Sequence, residues 1–277
     1  MWKVVECFAY LAEGLLLPSQ LQTKNHHIFL NYENPVEHRA PVEGNHGLGI
    51  VLGHGLGSRD PRTKSYASDD MIKILNKGTR ESQNLESTIL YTARGHGESI
   101  GWQETSESDR SQFSWSRLAD DMMGVANYYG YSQIVVGGSS MGSATALYAA
   151  IKYPDRVKGL IMAKPPTGWV ERENRKKYLL GSAKKLKEIE KDGEVFHNVL
   201  IGATTANFPP LEDYDSYRKI QCPVLILGLL GDESHPEVSA RNLHERIPQS
   251  ELYFAKDYDE AELLWPSLIR DFLDKIN

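Results

Sequence analysis

Ser140 lies in Gly138-Ser139-Ser140-Met141-Gly142, directly after the β-branched run Ile134 to Val136 and directly before a helix-forming stretch with apolar spacing, Ala144 to Ile151. This is the G-x-S-x-G arrangement in which a strand turns abruptly into a helix and leaves its central serine strained and exposed. Such a serine is a candidate nucleophile for acyl transfer. The N–H of Met141 opens the helix, where backbone donors and the helix dipole stabilise negative charge developing on a substrate oxygen. A tight Gly/Ser turn without chemistry would satisfy the same five letters. The flanking strand and helix patterns favour the chemical reading.

A second turn has the same character. Gly49-Ile-Val-Leu-Gly-His-Gly-Leu-Gly57 reads as a buried strand that ends in His54-Gly55-Leu56-Gly57. Glycines there let backbone approach a ligand closely, and the N–H of Leu56 is a candidate second oxyanion donor beside that of Met141. The turn Arg94-Gly95-His96-Gly97-Glu98-Ser99 reads as structural, since the polar groups of Arg94 and His96 satisfy loop backbone as readily as they do chemistry.

The elements that must carry these turns alternate along the chain. Strands are expected at His27 to Tyr32, Gly49 to Leu52, Thr88 to Thr92, Gln133 to Val136, Gly159 to Met162, Val224 to Gly228 and Glu251 to Phe254. Helices are expected at Trp115 to Tyr129, Ser140 to Ile151 and Ser267 to Ile276. Strand–helix alternation predicts an α/β fold, a mostly parallel sheet flanked by helices on both faces. Residues 165–216 break the pattern, with dense charge over Glu171 to Lys191 and prolines at Pro165-Pro166 and Pro209-Pro210. A segment that long between two strands predicts a small helical cap or lid insertion. The expected organisation is thus a helical extension over 1–25, a core over 26–164 and 217–277, and a cap over 165–216.

Composition excludes several functions. The net charge is -6 with no long basic run, so nucleic acid is not an expected partner. The apolar run Leu11 to Leu17 lies in a stretch interrupted by Glu6 and Glu13, which argues against a signal peptide and a membrane span. Cys7 and Cys222 are far apart, which predicts a reducing, cytoplasmic setting. His26-His27 lacks metal-ligand spacing, and Gly53 to Gly57 has neither the dinucleotide spacing nor a Walker lysine. No metal and no organic cofactor are expected.

From about His27 to Phe272 the chain resembles the α/β-hydrolase superfamily. The resemblance rests on the His54, Arg94 and Ser140 turns, on Tyr153-Pro154-Asp155-Arg156-Val157, and on Pro223-Val224-Leu225-Ile226-Leu227-Gly228 followed by Asp232 and Pro236. It implies an α/β-hydrolase fold, Ser140 as nucleophile, Leu56 and Met141 as oxyanion donors, and Asp232 as the acid that orients a histidine. One element departs from the pattern. The general base is expected in the loop after the last strand, yet no histidine follows His244, and that position falls near Asp257 to Glu260. Three substitutes remain open. Asp259 is a weak base at an ordinary carboxylate pKa. His54 lies on the oxyanion turn. His235 lies three residues beyond Asp232 in Asp232-Glu233-Ser234-His235-Pro236; a subset of α/β-hydrolase-like sequences is similar to this chain there and at Pro165-Pro166-Thr167-Gly168-Trp169.

The leading expectation is a serine hydrolase of a small ester, thioester or lactone, or of a C–C bond beside a carbonyl, with catalytic residues Ser140, Asp232 and His235. A receptor-like protein that keeps the pocket without catalysis is the alternative, as is a lyase or isomerase using the same pocket. A small carbonyl compound is the expected partner in each.

Overall fold

The computed structural model describes residues 30–31, 48–56, 70–94, 96, 113–189, 203–204 and 206–276. The expected 1–25 extension, Trp102 and Cys7 lie outside them. In chain order the elements are β1 (Leu30–Asn31), β2 (Leu48–Gly53), α1 (Asp70–Glu81), β3 (Leu85–Tyr91), α2 (Trp115–Tyr128), β4 (Ile134–Ser139) and α3 (Met141–Lys152). They continue with β5 (Val157–Ala163), α4 (Trp169–Ile189), α5 (Tyr214–Arg218), β6 (Val224–Leu229), α6 (Glu237–Arg246), β7 (Ser250–Ala255) and α7 (Tyr258–Leu273).

Alternate side chains of β2 point to opposite faces of the sheet, and both faces are buried. Val51 enters one apolar cluster with Leu118 and Met122 of α2, Leu147 of α3 and Leu243 of α6. Its neighbours Ile50 and Leu52 enter another with Met71, Ile74 and Leu75 of α1 and Trp265, Ile269 and Phe272 of α7. Burial on both faces explains why the strands read as near-continuous apolar runs, and helices on both sides are what a parallel sheet requires. The strand order is β1-β3-β2-β4-β5-β6-β7, parallel except for the β1–β3 pair.

Register sets the site. Gly53 pairs with Gly138, Ser139 with Ala163 and Ala163 with Leu227, so β2, β4, β5 and β6 end side by side. The turns that follow, carrying His54, Ser140, Lys164 and Asp232, therefore crowd the carboxyl edge of the sheet, where open α/β sheets bind ligands.

The final helix differs from expectation. It begins at Tyr258 rather than Ser267 and runs through Pro266. Asp257 caps it by accepting from the Glu260 N–H, while the Glu260 carboxylate accepts from the Lys256 N–H, a reciprocal pair that satisfies two orphan donors. That nucleation, with Trp265 and Ile269 anchored in the core, outweighs the proline. The segment between β5 and β6 also differs from a free insertion. Ala206 and Phe208 lie in the core cluster, and Phe208 packs between Trp115 and Trp169 with ring centroids 4.9 and 5.2 Å away. Part of the expected cap is thus core.

Candidate active site

The elbow at Ser140 is built by backbone contact. A Cβ on Gly142 would lie 2.0 Å from the Gly53 carbonyl oxygen, and one on Gly138 would lie 2.3 Å from the same atom. Only glycine lets β2, β4 and α3 meet this closely. The Ser140 N–H donates to the Ala163 carbonyl at 3.0 Å and the Gly142 N–H to the His54 carbonyl at 3.0 Å. Held from both sides, Ser140 takes φ 54° and ψ −114°, a strained conformation for a residue with a side chain. The N–H groups of Leu56 and Met141 make no hydrogen bond to any described residue, which leaves both able to donate to a ligand oxygen.

The loop after β6 carries the acid and the histidine. Gly231 adopts φ 71°, the left-handed conformation that glycine tolerates, and turns the chain at the strand end. One Asp232 carboxylate oxygen accepts from the Ser234 N–H at 3.0 Å, and the His235 N–H donates to the Asp232 carbonyl at 3.0 Å. Pro236 caps α6 and holds His235 out of the helical region. These local constraints let one short loop present both groups. The His235 Nδ1 lies 2.8 Å from the Asp232 Oδ2, and its Nε2 lies 2.8 Å from the Ser140 Oγ. Since an ionised carboxylate can only accept, Nδ1 carries the proton and Nε2 accepts from the serine hydroxyl.

Two groups that sequence reading missed complete the arrangement. Lys164 follows β5 at φ 47°, is buried, and places its Nζ 2.8 Å from the Asp232 Oδ2. The same ammonium donates to the Tyr258 hydroxyl. Tyr258 occupies the stretch after the last strand where a histidine was expected, so the ammonium bridges the vacated position to the acid. A lone lysine ending an apolar strand was the available signal.

Electrostatics follow from these contacts. Burial alone would raise the Asp232 carboxyl, but the hydrogen bonds and charges of His235 and Lys164 outweigh it and hold the group well below the usual carboxylate range. Burial pushes the His235 imidazole below its ordinary value; Asp232 opposes this, and the cations Lys164 and Arg175 reinforce it. His235 is therefore neutral, and a proton acceptor, to lower pH than a free histidine.

The other two candidate bases are not brought to Ser140. His54 accepts from the Ala93 N–H at 2.9 Å through Nε2, and its Nδ1 lies 2.9 Å from the Gly55 carbonyl. Both ring nitrogens are engaged in holding turns together. Asp259 is exposed in the first turn of α7. Arg94 forms a buried two-pronged pair with Asp121. His96 is pushed down to about 3 by burial and by neighbouring His54. Burial pushes the Cys222 thiol up to about 12, so it is inert.

Residues 86–185 match a family model described as the alpha/beta hydrolase fold. Among solved structures, an enol-lactonase from Burkholderia xenovorans is similar at 16% identity and a TM-score of 0.60, over 90% of this chain and 96% of that one. A thermophilic esterase from Thermogutta terrifontis is similar at 22% identity and a TM-score of 0.59, over 83% and 90% of the two chains. An alpha/beta hydrolase enzyme from a Medee basin deep-sea metagenome library gives 17% and 0.62, over 92% and 96%. No curated protein matches the chain. No helix among the described residues is long and apolar enough to cross a membrane. With its parallel sheet and its strand–elbow–helix turn the chain has the α/β-hydrolase fold, and over residues 86–185 it is similar to that family's model.

Proposed function

We propose that this protein is a serine hydrolase that cleaves a small ester, thioester or lactone, or a C–C bond beside a carbonyl. The observation that carries the reading is the bridging position of His235, 2.8 Å from both the Ser140 hydroxyl and the Asp232 carboxylate. As the Ser140 oxygen bonds to the substrate carbonyl carbon, its proton passes to the His235 Nε2. Asp232 keeps the Nδ1 proton in place and stabilises the imidazolium, and Lys164 positions Asp232. The carbonyl oxygen becomes an oxyanion that accepts from the Leu56 and Met141 N–H groups. His235 then gives its proton to the leaving group, takes one from a water that attacks the acyl-serine, and returns it to Ser140.

The receptor-like alternative drew its strength from the histidine missing after the last strand. His235 supplies that histidine from a different loop, so no specific observation favours the alternative. The enol-lactonase and the esterase among the structural neighbours support ester and lactone chemistry. The helix α4 leaves the sheet after β5 and carries Arg175 to the Ser234 hydroxyl at 2.6 Å, which supports its role as a cap over the site.

Labelling with a fluorophosphonate tests the reading directly, because the reagent reacts only with an activated serine. Wild-type protein should label at Ser140 and turn over p-nitrophenyl esters, and Ser140→Ala should do neither while keeping its fold. Turnover that survives Ser140→Ala would sink the serine mechanism.

A further inference from the structure

The cap helix α4 brings positive charge to the site, and no acid among the described residues pairs with it. Arg175 is half-buried and spends one of its N–H donors on the Ser234 hydroxyl, the residue beside His235. Its guanidinium carbon lies 4.5 Å from the Tyr178 ring centroid, a stacking contact that occupies one face and leaves in-plane donors available. Among the described residues no ion pair joins Arg175 to a carboxylate, and its side-chain partner is the Ser234 hydroxyl.

A second arginine sharpens the imbalance. Arg172, one turn before Arg175, is buried; among the described residues it donates to the carbonyls of Ala206 and Ala203 while lying over the Trp115 ring. Burial and the nearby Arg175 charge lower its pKa to about 10. Like charges at i and i+3 destabilise a helix unless something neutralises them. The site's other cation, Lys164, is balanced by Asp232. Among the described residues no carboxylate pairs with Arg172 or Arg175, and Arg175 is near enough to bias His235.

We propose that Arg175 recognises a carboxylate on the substrate, so that the preferred substrate is an acyl compound bearing an acid group away from the scissile carbonyl. This deepens the serine-hydrolase reading and rests on it for the reaction, although anion binding does not require catalysis. A planar carboxylate offers two oxygens to the donors that Ser234 leaves unused, the geometry an arginine fork favours. The potential from Arg172 adds attraction without contact, and Ser234 and Tyr178 hold the guanidinium in place before the substrate arrives.

The test compares p-nitrophenyl hemisuccinate with p-nitrophenyl valerate, esters of similar length that differ in charge. Wild type should favour the hemisuccinate in kcat/KM by about 10- to 100-fold, the range for a hydrogen-bonded charge pair. Arg175→Gln should bring the ratio close to one, Arg175→Lys should retain part of it, and added salt should shrink it in wild type. Equal turnover of the two esters in wild type, or a preference that survives Arg175→Gln, would overturn the proposal.

A binding arm separates this idea from the hydrolase reading. Succinate titrated calorimetrically into the Ser140→Ala protein should bind, and binding should be lost in Ser140→Ala/Arg175→Gln with the melting temperature preserved. Arg175-dependent succinate binding in a protein that no fluorophosphonate labels would support the anion site and sink the hydrolase. Labelling at Ser140 without succinate binding would do the reverse. Inorganic phosphate that binds through Arg175 where succinate does not would overturn the carboxylate assignment.

Discussion

The two loops that supply the proposed catalytic groups are held by different physics. The Ser140 elbow is fixed by backbone against backbone: glycines at 53, 138 and 142 meet at distances that admit no Cβ, and hydrogen bonds to Ala163 and His54 clamp its start. The loop from Gly231 to Pro236 shapes its own turn locally and is anchored to other elements mainly by side chains. Lys164 grips its acid, Arg175 grips Ser234, and the Thr167 N–H donates to the Ser234 carbonyl at 3.2 Å. The proposed nucleophile is thus held by backbone sterics, while the loop of the proposed base leans on side chains from distant elements.

The largest expected effect tests whether that support suffices. His235→Ala should lower kcat by about a thousandfold or more, as in other triads, with the protein still folded. An effect below tenfold in steady-state assays would remove His235 as the base. Next comes the elbow itself. Gly142→Ala pushes a methyl into the Gly53 carbonyl, and because neither backbone can yield, it should cost about 3 kcal/mol or more in denaturant unfolding. A near-neutral result would mean that the two loops tolerate change alike.

Lys164→Met probes the side-chain support. It should lower kcat about tenfold, the loss of one charge-assisted hydrogen bond, while leaving KM near its wild-type value. The pH profile carries the sharper signal. His235 must be neutral to accept a proton, and its pKa lies below the ordinary 6.5, so wild-type kcat/KM should fall only as pH drops below that value. Removing the Lys164 cation favours imidazolium and should move the acid limb upward. A lysine that merely fills space would leave the limb unmoved. The smallest effect belongs to Asp259→Asn. An exposed first-turn residue of α7 away from the hydroxyl should change turnover less than about twofold, as surface substitutions usually do.

Much of the fold was legible because a buried parallel sheet writes itself as apolar runs. The strands near Gly49, Gln133, Gly159, Val224 and Glu251 all form, within a few residues of their expected bounds. The first expected strand is described only at Leu30–Asn31. The helices α1 and α6 went unread: Glu237–Arg246 buries only Ser239, Ala240 and Leu243, and Asp70–Glu81 buries Met71, Ile74 and Leu75 among polar neighbours that hide their helical spacing. The expected helix starts only at Ser267, directly after Pro266, whereas the Asp257–Glu260 cap and core contacts start it at Tyr258 and carry it through the proline. Phe208 could not be assigned to the core from its polar, proline-rich neighbourhood.

What the sequence determined by itself was the elbow. Gly138, Gly142, the strand and the helix are adjacent along the chain, so the pattern was readable there, although the Gly53, His54 and Ala163 contacts that clamp it are tertiary. Tertiary structure alone decided which group faces Ser140. His235 and Ser140 lie 95 residues apart, and their 2.8 Å contact exists only because β6 is set beside β5, and β5 beside β4, so that their ends share one edge. The same pairing carries Lys164 to Asp232, and the return of the chain after β7 brings Tyr258 to Lys164. Such contacts leave no periodic trace in a sequence. They depend on which strand neighbours which, and that choice is made by the burial of the whole sheet.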